Sequence, residues 1–243
     1  MPRFFVSKEQ INGNIIEVVG EDARHISKSL RMKIEEELTA CDGCGTDYFC
    51  RIRDISDTSV LCDITHSEKS RTEPSVKVTL YQGLPKSDKL ELIIQKCTEL
   101  GIYKIVPVLM YRSVSRPDEK KGDKKAARWQ KIAAEAAKQS QRGIIPKVTQ
   151  IISFDEMAER IKQHQKVIVF YESSHEPFSQ LLKDDFKDLA IVIGPEGGFE
   201  PQEIQVLSDI GANIATLGKR ILRTETAGMA ALSAIMFATG NMD

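Results

Sequence analysis

Ile191-Val192-Ile193-Gly194-Pro195-Glu196-Gly197-Gly198-Phe199, followed by Leu217-Gly218-Lys219-Arg220-Ile221-Leu222-Arg223-Thr224-Glu225-Thr226-Ala227, reads as two short apolar strands, each breaking into a glycine-punctuated loop. Glycine is called for where the chain needs positive φ, or where a ligand must meet backbone with no Cβ in the way. In an open α/β sheet, ligands gather at the carboxyl ends of the strands. The two loops are therefore the first candidate site. Neither follows G-x-x-x-x-G-K-[ST] or G-x-G-x-x-G, which disfavours a phosphate cradle. Gly-Pro and Gly-Gly are also ordinary turn punctuation. Two arginines among the apolar residues of the second loop weigh against that plainer reading.

Upstream, strands alternate with helical patterns from Val76 onward, the signature of parallel α/β construction. Residues 76–81 and 104–109 are predicted strands, and Pro107 points to an edge or a bend in the second. Ser87-Asp88 is expected to cap a helix through Leu92, Ile93, Cys97 and Leu100 that stops at Gly101. A longer helix over 124–141 carries an alanine-rich face, while Glu135, Gln139 and Arg142 share another face, a candidate wall of a site. Ser153 and Glu156 have capping-box spacing. The strand at 166–171 ends in Tyr171-Glu172 much as the later two end at Gly194 and Gly218. Pro201 suits the first turn of a helix that closes at Gly211.

Residues 1–72 read as short β segments at 3–6, 14–19, 37–40, 48–52 and 59–64, interrupted by one helix near 21–30 with Asp22 favouring its start. Many short strands imply a small barrel. The polar stretch 65–74 reads as a linker. Cys41-Asp42-Gly43-Cys44 has the spacing of a zinc half-site or redox pair. Asp42-Gly43 between strand-like stretches is more simply a hairpin turn, and Cys50, Cys62 and His66 supply no second knuckle. His25, His164 and His175 stand singly and read as surface or packing residues.

A chain of 243 residues, 41% hydrophobic, buries a sizeable core in one large domain or two unequal ones. No apolar run reaches membrane-spanning length and Met1 to Ser7 lacks the apolar core of a signal peptide, so the cytoplasm is the expected compartment. Five cysteines, scattered and odd in number, suit a reducing one. The net charge of −1 argues against a uniformly basic coat. Between Arg112 and Arg142, however, ten basic residues face four acidic ones, a local +6 that leaves −7 for the rest. Such asymmetry fits a phosphate-contacting face, or a solvated helix face.

Four groups of residues carry a resemblance: Glu99-Leu100-Gly101; Glu135-Ala136 with Gln139-Ser140 and Arg142; Ile193 to Phe199; and Leu217-Gly218 with Arg220 to Ala227. On these the chain resembles, over essentially its whole length, the RsmE-type ribosomal RNA methyltransferases of the SPOUT superfamily. The resemblance implies an α/β protein with a small PUA-like β-barrel for RNA at residues 1–72. A SPOUT α/β methyltransferase domain is implied at 73–243, its end threaded into a deep trefoil knot that no periodicity reveals. It further implies a homodimer, S-adenosyl-L-methionine as cofactor, no metal, and methylation of N3 of a uridine in small-subunit (16S) ribosomal RNA.

Carried over position by position, the cofactor loops are Tyr171 and Glu172; Gly194, Pro195, Glu196, Gly197 and Gly198; and Leu217, Gly218, Arg220, Ile221 and Leu222. Arg223 and Arg142 are candidates to stabilise the anion that develops on the uracil. Glu196 and Glu225 are candidates to accept its proton. RNA phosphates are expected at Arg112, Arg116, Lys120, Lys121, Lys124, Lys125 and Arg128, with Arg24 and Arg31 on the barrel. The target base must be unpaired or leave its stack. Two departures stand out: Ile34-Glu35-Glu36-Glu37 replaces a Gly-Asp-like turn, and Glu200 replaces the Ser or Thr expected to cap the following helix. Other readings are a SPOUT ribose 2′-O-methyltransferase, a non-catalytic RNA-binding ribosome assembly factor, and a nucleotide- or zinc-dependent enzyme.

Overall fold

Ile16 and Val18, Cys50 and Ile52, and Val60 and Cys62 are buried at every second position, the period that turns one face of a strand inward. The computed structural model describes residues 1–56, 58–86, 88–114, 119–183 and 185–242, and of residues 119–122 the backbone alone. It falls into two units, Met1–Glu73 with Ala137–Ile145, and Pro74–Ala136 with Pro146–Asp243. Among the described residues no helix is long and apolar enough to cross a membrane.

The first unit is built on β1 (Arg3–Phe5), β2 (Ile11–Asn12), β3 (Ile15–Val19), α1 (Gly20–Arg24, continued by a π-helical turn over His25–Ser29), β4 (Glu37–Cys41), β5 (Thr46–Ile55) and β6 (Ser59–Lys69). The strands run in the order β1-β4-β5-β6-β3-β2, with only β1 against β4 parallel. Phe4, Ile26, Leu38, Ile52 and Val60 are part of its core. The Asp42-Gly43 hairpin forms as expected: Asp42 Oδ1 accepts from Cys44 N–H at 2.8 Å and Thr46 N–H at 3.0 Å, and Gly43 takes φ 68°. Cys41 donates to the Gly143 carbonyl, and burial pushes its thiol up to about 11.

The linker expected over 65–74 is a correction. Through Lys69 that stretch is strand, because Thr65 Oγ1 donates to the Phe49 carbonyl and His66 stacks on Phe49 at 4.3 Å, extending the ladder with β5. In the replaced turn, Glu35 sits at φ 72°, a conformation that glycine adopts without strain.

The second unit holds β7 (Lys77–Gly83), α2 (Lys89–Glu99), β8 (Lys104–Leu109), α3 (Glu119–Gln139, whose last residues belong to the first unit), β9 (Lys147–Val148), β10 (Ile152–Ser153), α4 (Phe154–Ile161), β11 (Lys166–Phe170), α5 (Phe178–Leu181), β12 (Asp188–Ile193), α6 (Pro201–Asp209), β13 (Asn213–Ala215) and α7 (Thr224–Ala238). Its sheet runs β10-β8-β7-β12-β11-β13, with β9 also on β8, and every pairing is parallel. Both faces are covered: Leu189, Ile191 and Ile193 of β12 enter one apolar cluster with α2 and α7, and Ala190 and Val192 enter another with α4 and α6.

Pro107 is not on an edge strand. It pairs with Gln82 of β7 and, on its other side, falls between the residues of β8 that β9 and β10 engage, so its missing N–H interrupts no bond there. Ser87 lies outside the described residues, and Asp88 makes no side-chain cap to α2. Ser153 does cap α4, accepting from Glu156 N–H at 3.1 Å. The row Glu135–Gln139–Arg142 is also corrected: α3 ends at Gln139, Gln141 turns to φ 58°, and Arg142 is buried, while Glu135 and Gln139 are exposed. His164 is no lone histidine, since Nδ1 lies 2.8 Å from Asp188 and Nε2 3.1 Å from the Tyr81 hydroxyl.

Gly83, the last residue of β7, underlies the candidate site. A Cβ there would lie 2.4 Å from the Pro195 nitrogen and 2.8 Å from the Gly194 carbonyl carbon, so only glycine lets β7 touch the loop after β12. Gly83→Ala is expected to cost about 1–3 kcal/mol of stability, as overpacking against backbone does. Urea unfolding of the two proteins measures it.

Candidate active site

Because β11, β12 and β13 are parallel, the segments that leave them, beginning at Tyr171, Gly194 and Thr216, emerge on one edge of the sheet. Between them lies a cleft of two lobes. One, of 390 Å³, is lined by Tyr171, Ser174, His175, Thr216 and the run Leu217–Leu222. The other, of 440 Å³, is lined by Lys89, the run Gly194–Phe199, Arg223 and Thr224. Phe170, Glu172, Ile221, Leu222 and Ala227 line both. Every residue expected to hold the cofactor therefore borders this cleft.

The loops are fixed by short local bonds. Tyr171 N–H donates to Ala215, and Ser174 Oγ to the Ile214 carbonyl. Thr216 Oγ1 accepts from Gly218 N–H at 3.2 Å, and Gly218 takes φ 102°. Gly198, at φ 71°, faces Glu172: a Cβ there would be 3.1 Å from Oε1. Among the described residues the N–H groups of Leu217, Ile221 and Leu222 have no partner within the protein. Unpaired donors beside an apolar wall suit the edge of an adenine and a carboxylate. The residues present thus fit an S-adenosyl nucleoside better than a bare phosphate.

Behind the glycine loop, Gln82 is fully buried and donates through Nε2 to Thr224 Oγ1 at 2.8 Å; Thr224 in turn donates to the Gly194 carbonyl at 2.6 Å. This chain ties the end of β7, the start of α7 and the glycine loop together. In front, Lys89 Nζ lies 3.2 Å from Glu196 Oε1 and 3.2 Å from Glu225 Oε2. Lys86 N–H donates to Glu196 Oε1 at 3.1 Å. Burial acts to raise the Glu196 carboxyl, but Lys86 N–H, its own N–H and the Lys89 ammonium together hold it below the usual carboxylate range. Its contribution to stability is therefore full above the ordinary glutamate value and lost as pH falls through the lowered native one.

Of the four candidate reactive groups, Glu196 and Arg223 line the cleft, and Glu225 meets Glu196 at Lys89. Arg142 belongs to the first unit and is committed to Glu73, Nη2 to Oε2 at 2.6 Å; Glu73 Oε1 also accepts from Gly143 and Ile144 N–H. Arg112, expected on phosphate, is a brace: Nε donates to Glu200 at 2.7 Å and Nη1 to the Gly197 carbonyl at 3.1 Å. Glu200 N–H donates to Glu203 at 2.9 Å, so the substituted cap is completed from within α6. Lys124 is exposed and Lys125 half-buried, and Arg128 reaches Glu91 at 2.8 Å. Arg24 and Arg31 are exposed and make no ion pair among the described residues. Arg116 lies outside the described residues, as do the side chains of Lys120 and Lys121. Sequence reading missed Gln82, Lys89 and the site role of Thr224, whose partners are distant in the chain and leave no local signal.

The chain matches the family model of the RNA methyltransferase domain over residues 72–236 and that of the RNA methyltransferase PUA domain over 20–65. It is 39% identical to the ribosomal RNA small subunit methyltransferase E of Bacillus subtilis, with 98% of this chain and 97% of that protein aligned. The protein of the same name from Mycobacterium tuberculosis is 30% identical, over 99% and 93%. The crystal structure of ribosomal RNA small subunit methyltransferase E from Neisseria gonorrhoeae bound to S-adenosyl methionine superposes with a TM-score of 0.86 at 30% identity, covering 98% and 97% of the two chains.

Thr224→Val, which keeps the shape and removes the hydroxyl, strands the Gly194 carbonyl and leaves Gln82 Nε2 only its bond to the Gly83 carbonyl, at 3.0 Å. The expected loss is about 1–3 kcal/mol, read as a lower urea midpoint, together with weaker binding of S-adenosylhomocysteine by calorimetry.

Proposed function

The chain belongs to the RNA methyltransferase family that includes ribosomal RNA small subunit methyltransferase E, and from that premise we propose that it methylates N3 of a uridine in 16S ribosomal RNA, using S-adenosylmethionine. The observation that carries the reading is the two-lobed cleft, in which the expected cofactor loops meet a candidate acid–base cluster. The sulfonium cofactor supplies an electrophilic methyl group when bound. What remains for the protein is alignment, exclusion of water and management of the N3 proton.

Leu217, Ile221 and Leu222 offer backbone donors to the nucleoside, and the apolar wall of Phe170, Leu222 and Ala227 keeps water out. Arg223 is the group we place on the uracil oxygens, because it is exposed and lines the lobe that also holds Glu196, whereas Arg142 is buried against Glu73. A fixed cation there stabilises the imide anion as it forms. Glu196 or Glu225 accepts the N3 proton. Holding the phosphates falls to Lys124, Lys125 and Arg128 of the second unit and Arg24 and Arg31 of the first.

Two further expectations belong to the same reading. A knotted C-terminus is supported by the path of the chain: β13 lies at the sheet edge beyond β11, yet α7 packs on α2, β7 and β12, so residues 216–223 return across the ends of β11 and β12. A homodimer is supported by apolar surface at the end of α7, where Phe237 is 74% exposed.

The test is methyl transfer to small-subunit RNA and to assembled subunits, with nucleoside mass spectrometry of the product. The expected product is 3-methyluridine; 2′-O-methyluridine would favour the ribose-methylating reading, and no transfer by cofactor-bound protein the non-catalytic one. Arg223→Ala is expected to lower the single-turnover rate about 10²-fold while leaving cofactor affinity within about threefold. Ala227→Leu, which fills the wall shared by both lobes, should weaken cofactor binding instead. It is a cleaner probe than a larger residue at Gly197, whose Cβ would meet Arg112 Cβ at 2.8 Å and disturb the brace.

A further inference from the structure

The first residue of α2 reaches across the candidate site and meets two carboxylates from unrelated segments. Lys89 Nζ is 3.2 Å from Glu196 in the loop after β12 and 3.2 Å from Glu225 in the first turn of α7. The Glu225 oxygen it faces is buried and has no hydrogen-bond donor, so among the described residues the ammonium is its one compensating charge. A buried carboxylate without a partner is costly. Two carboxylates crowded together without a cation push one of the pair toward the protonated form.

We propose that Lys89 is a positioning residue for methyl transfer: its single ammonium, shared between Glu196 and Glu225, locks the glycine loop to the start of α7. The inference rests on the proposed methyltransferase reading and adds to it the group that holds the candidate bases in place. With two carboxylates and one ammonium the clamp carries a net −1, complementary to a sulfonium cation. Lys89 itself lines the same lobe as Glu196 and Arg223, so its displacement also alters the charge that the uracil meets. Charged groups facing it are Glu196 from the β12 loop and Glu225 from α7, with Glu172 and Arg223 bordering the lobe. Glu196 has a second anchor in Lys86 N–H, whereas Glu225 has none. Loss of the lysine therefore falls hardest on Glu225.

The experiment compares wild type, Lys89→Met, Lys89→Arg, Glu225→Gln and Lys89→Met/Glu225→Gln. Single-turnover methylation of small-subunit RNA is followed from pH 5.5 to 9, roughly the span over which a released carboxyl and the imide proton titrate, and melting temperatures are recorded for all five. Lys89→Met is expected to lower the rate about tenfold or more and to shift the acid limb of the pH profile upward, because Glu196 loses the ammonium that helps hold its carboxyl low. Lys89→Arg is expected to restore the wild-type limb, and Glu225→Gln to cost less stability in the Lys89→Met background than alone. A Lys89→Met protein with wild-type rate and profile overturns the proposal, as does a rate loss with an unmoved acid limb. Folded wild type that transfers no methyl group refutes the proposed function instead; the melting-temperature cycle then decides the clamp, and strictly additive shifts overturn it.

Discussion

The site depends on the contact between β7 and the glycine loop after β12. The carbonyl of Gly194 is held by Thr224, Thr224 is held by Gln82, and Pro195 rests where a Cβ on Gly83 would be. Parallel pairing brings β7 beside β12, but pairing alone does not fix what the chain does after the strand ends. A buried amide, a hydroxyl and a missing Cβ do. Each bond in this set is worth on the order of 1 kcal/mol, yet leaving any member unpaired costs more than making the bond gains, which is why such a network specifies one geometry.

On that base the loops serve as a surface of backbone. Gly218 and Gly198 at positive φ expose peptide groups that side chains would otherwise screen. The unpaired N–H groups of Leu217, Ile221 and Leu222 follow from the same geometry. Among the described residues the loops that line the cleft follow no glycine-rich phosphate motif, and its charges are of both signs: Glu172, Glu196, Lys89, Lys219, Arg220 and Arg223.

Much of this was legible from residue patterns. The alternation of strands with helices from Val76 predicted the parallel sheet, and the Gly194 and Leu217 loops were marked by glycines that interrupt apolar runs. Local chemistry was also readable: Asp42-Gly43 makes its hairpin, Ser153 its cap and Pro201 its first turn. What escaped was set by partners distant in sequence. The stretch after Thr65 is polar enough to read as a linker, but Phe49 on the neighbouring strand gives His66 a ring to stack on. Arg142 lies one turn beyond Gln139 on an ideal helix, yet α3 has already ended, and Glu73 draws the guanidinium elsewhere. Lys89 looks like an ordinary helix-start lysine until the fold delivers two glutamates to it.

The basic stretch shows how a charge count divides once partners are known. Arg112 is spent on Glu200 and the Gly197 carbonyl, Arg128 leans on Glu91, and Lys138 pairs with Asp22 in the first unit. Those pairs are partly exposed, so their strength is modest and their partners exchange at little cost. Arg112 is the exception, because releasing it would also release the carbonyl of Gly197 and loosen the loop that forms one wall of the cleft. Arg112, one of the residues expected on phosphate, therefore also forms part of the frame. Among the described residues Lys124, exposed on α3, has no such tie to the cleft.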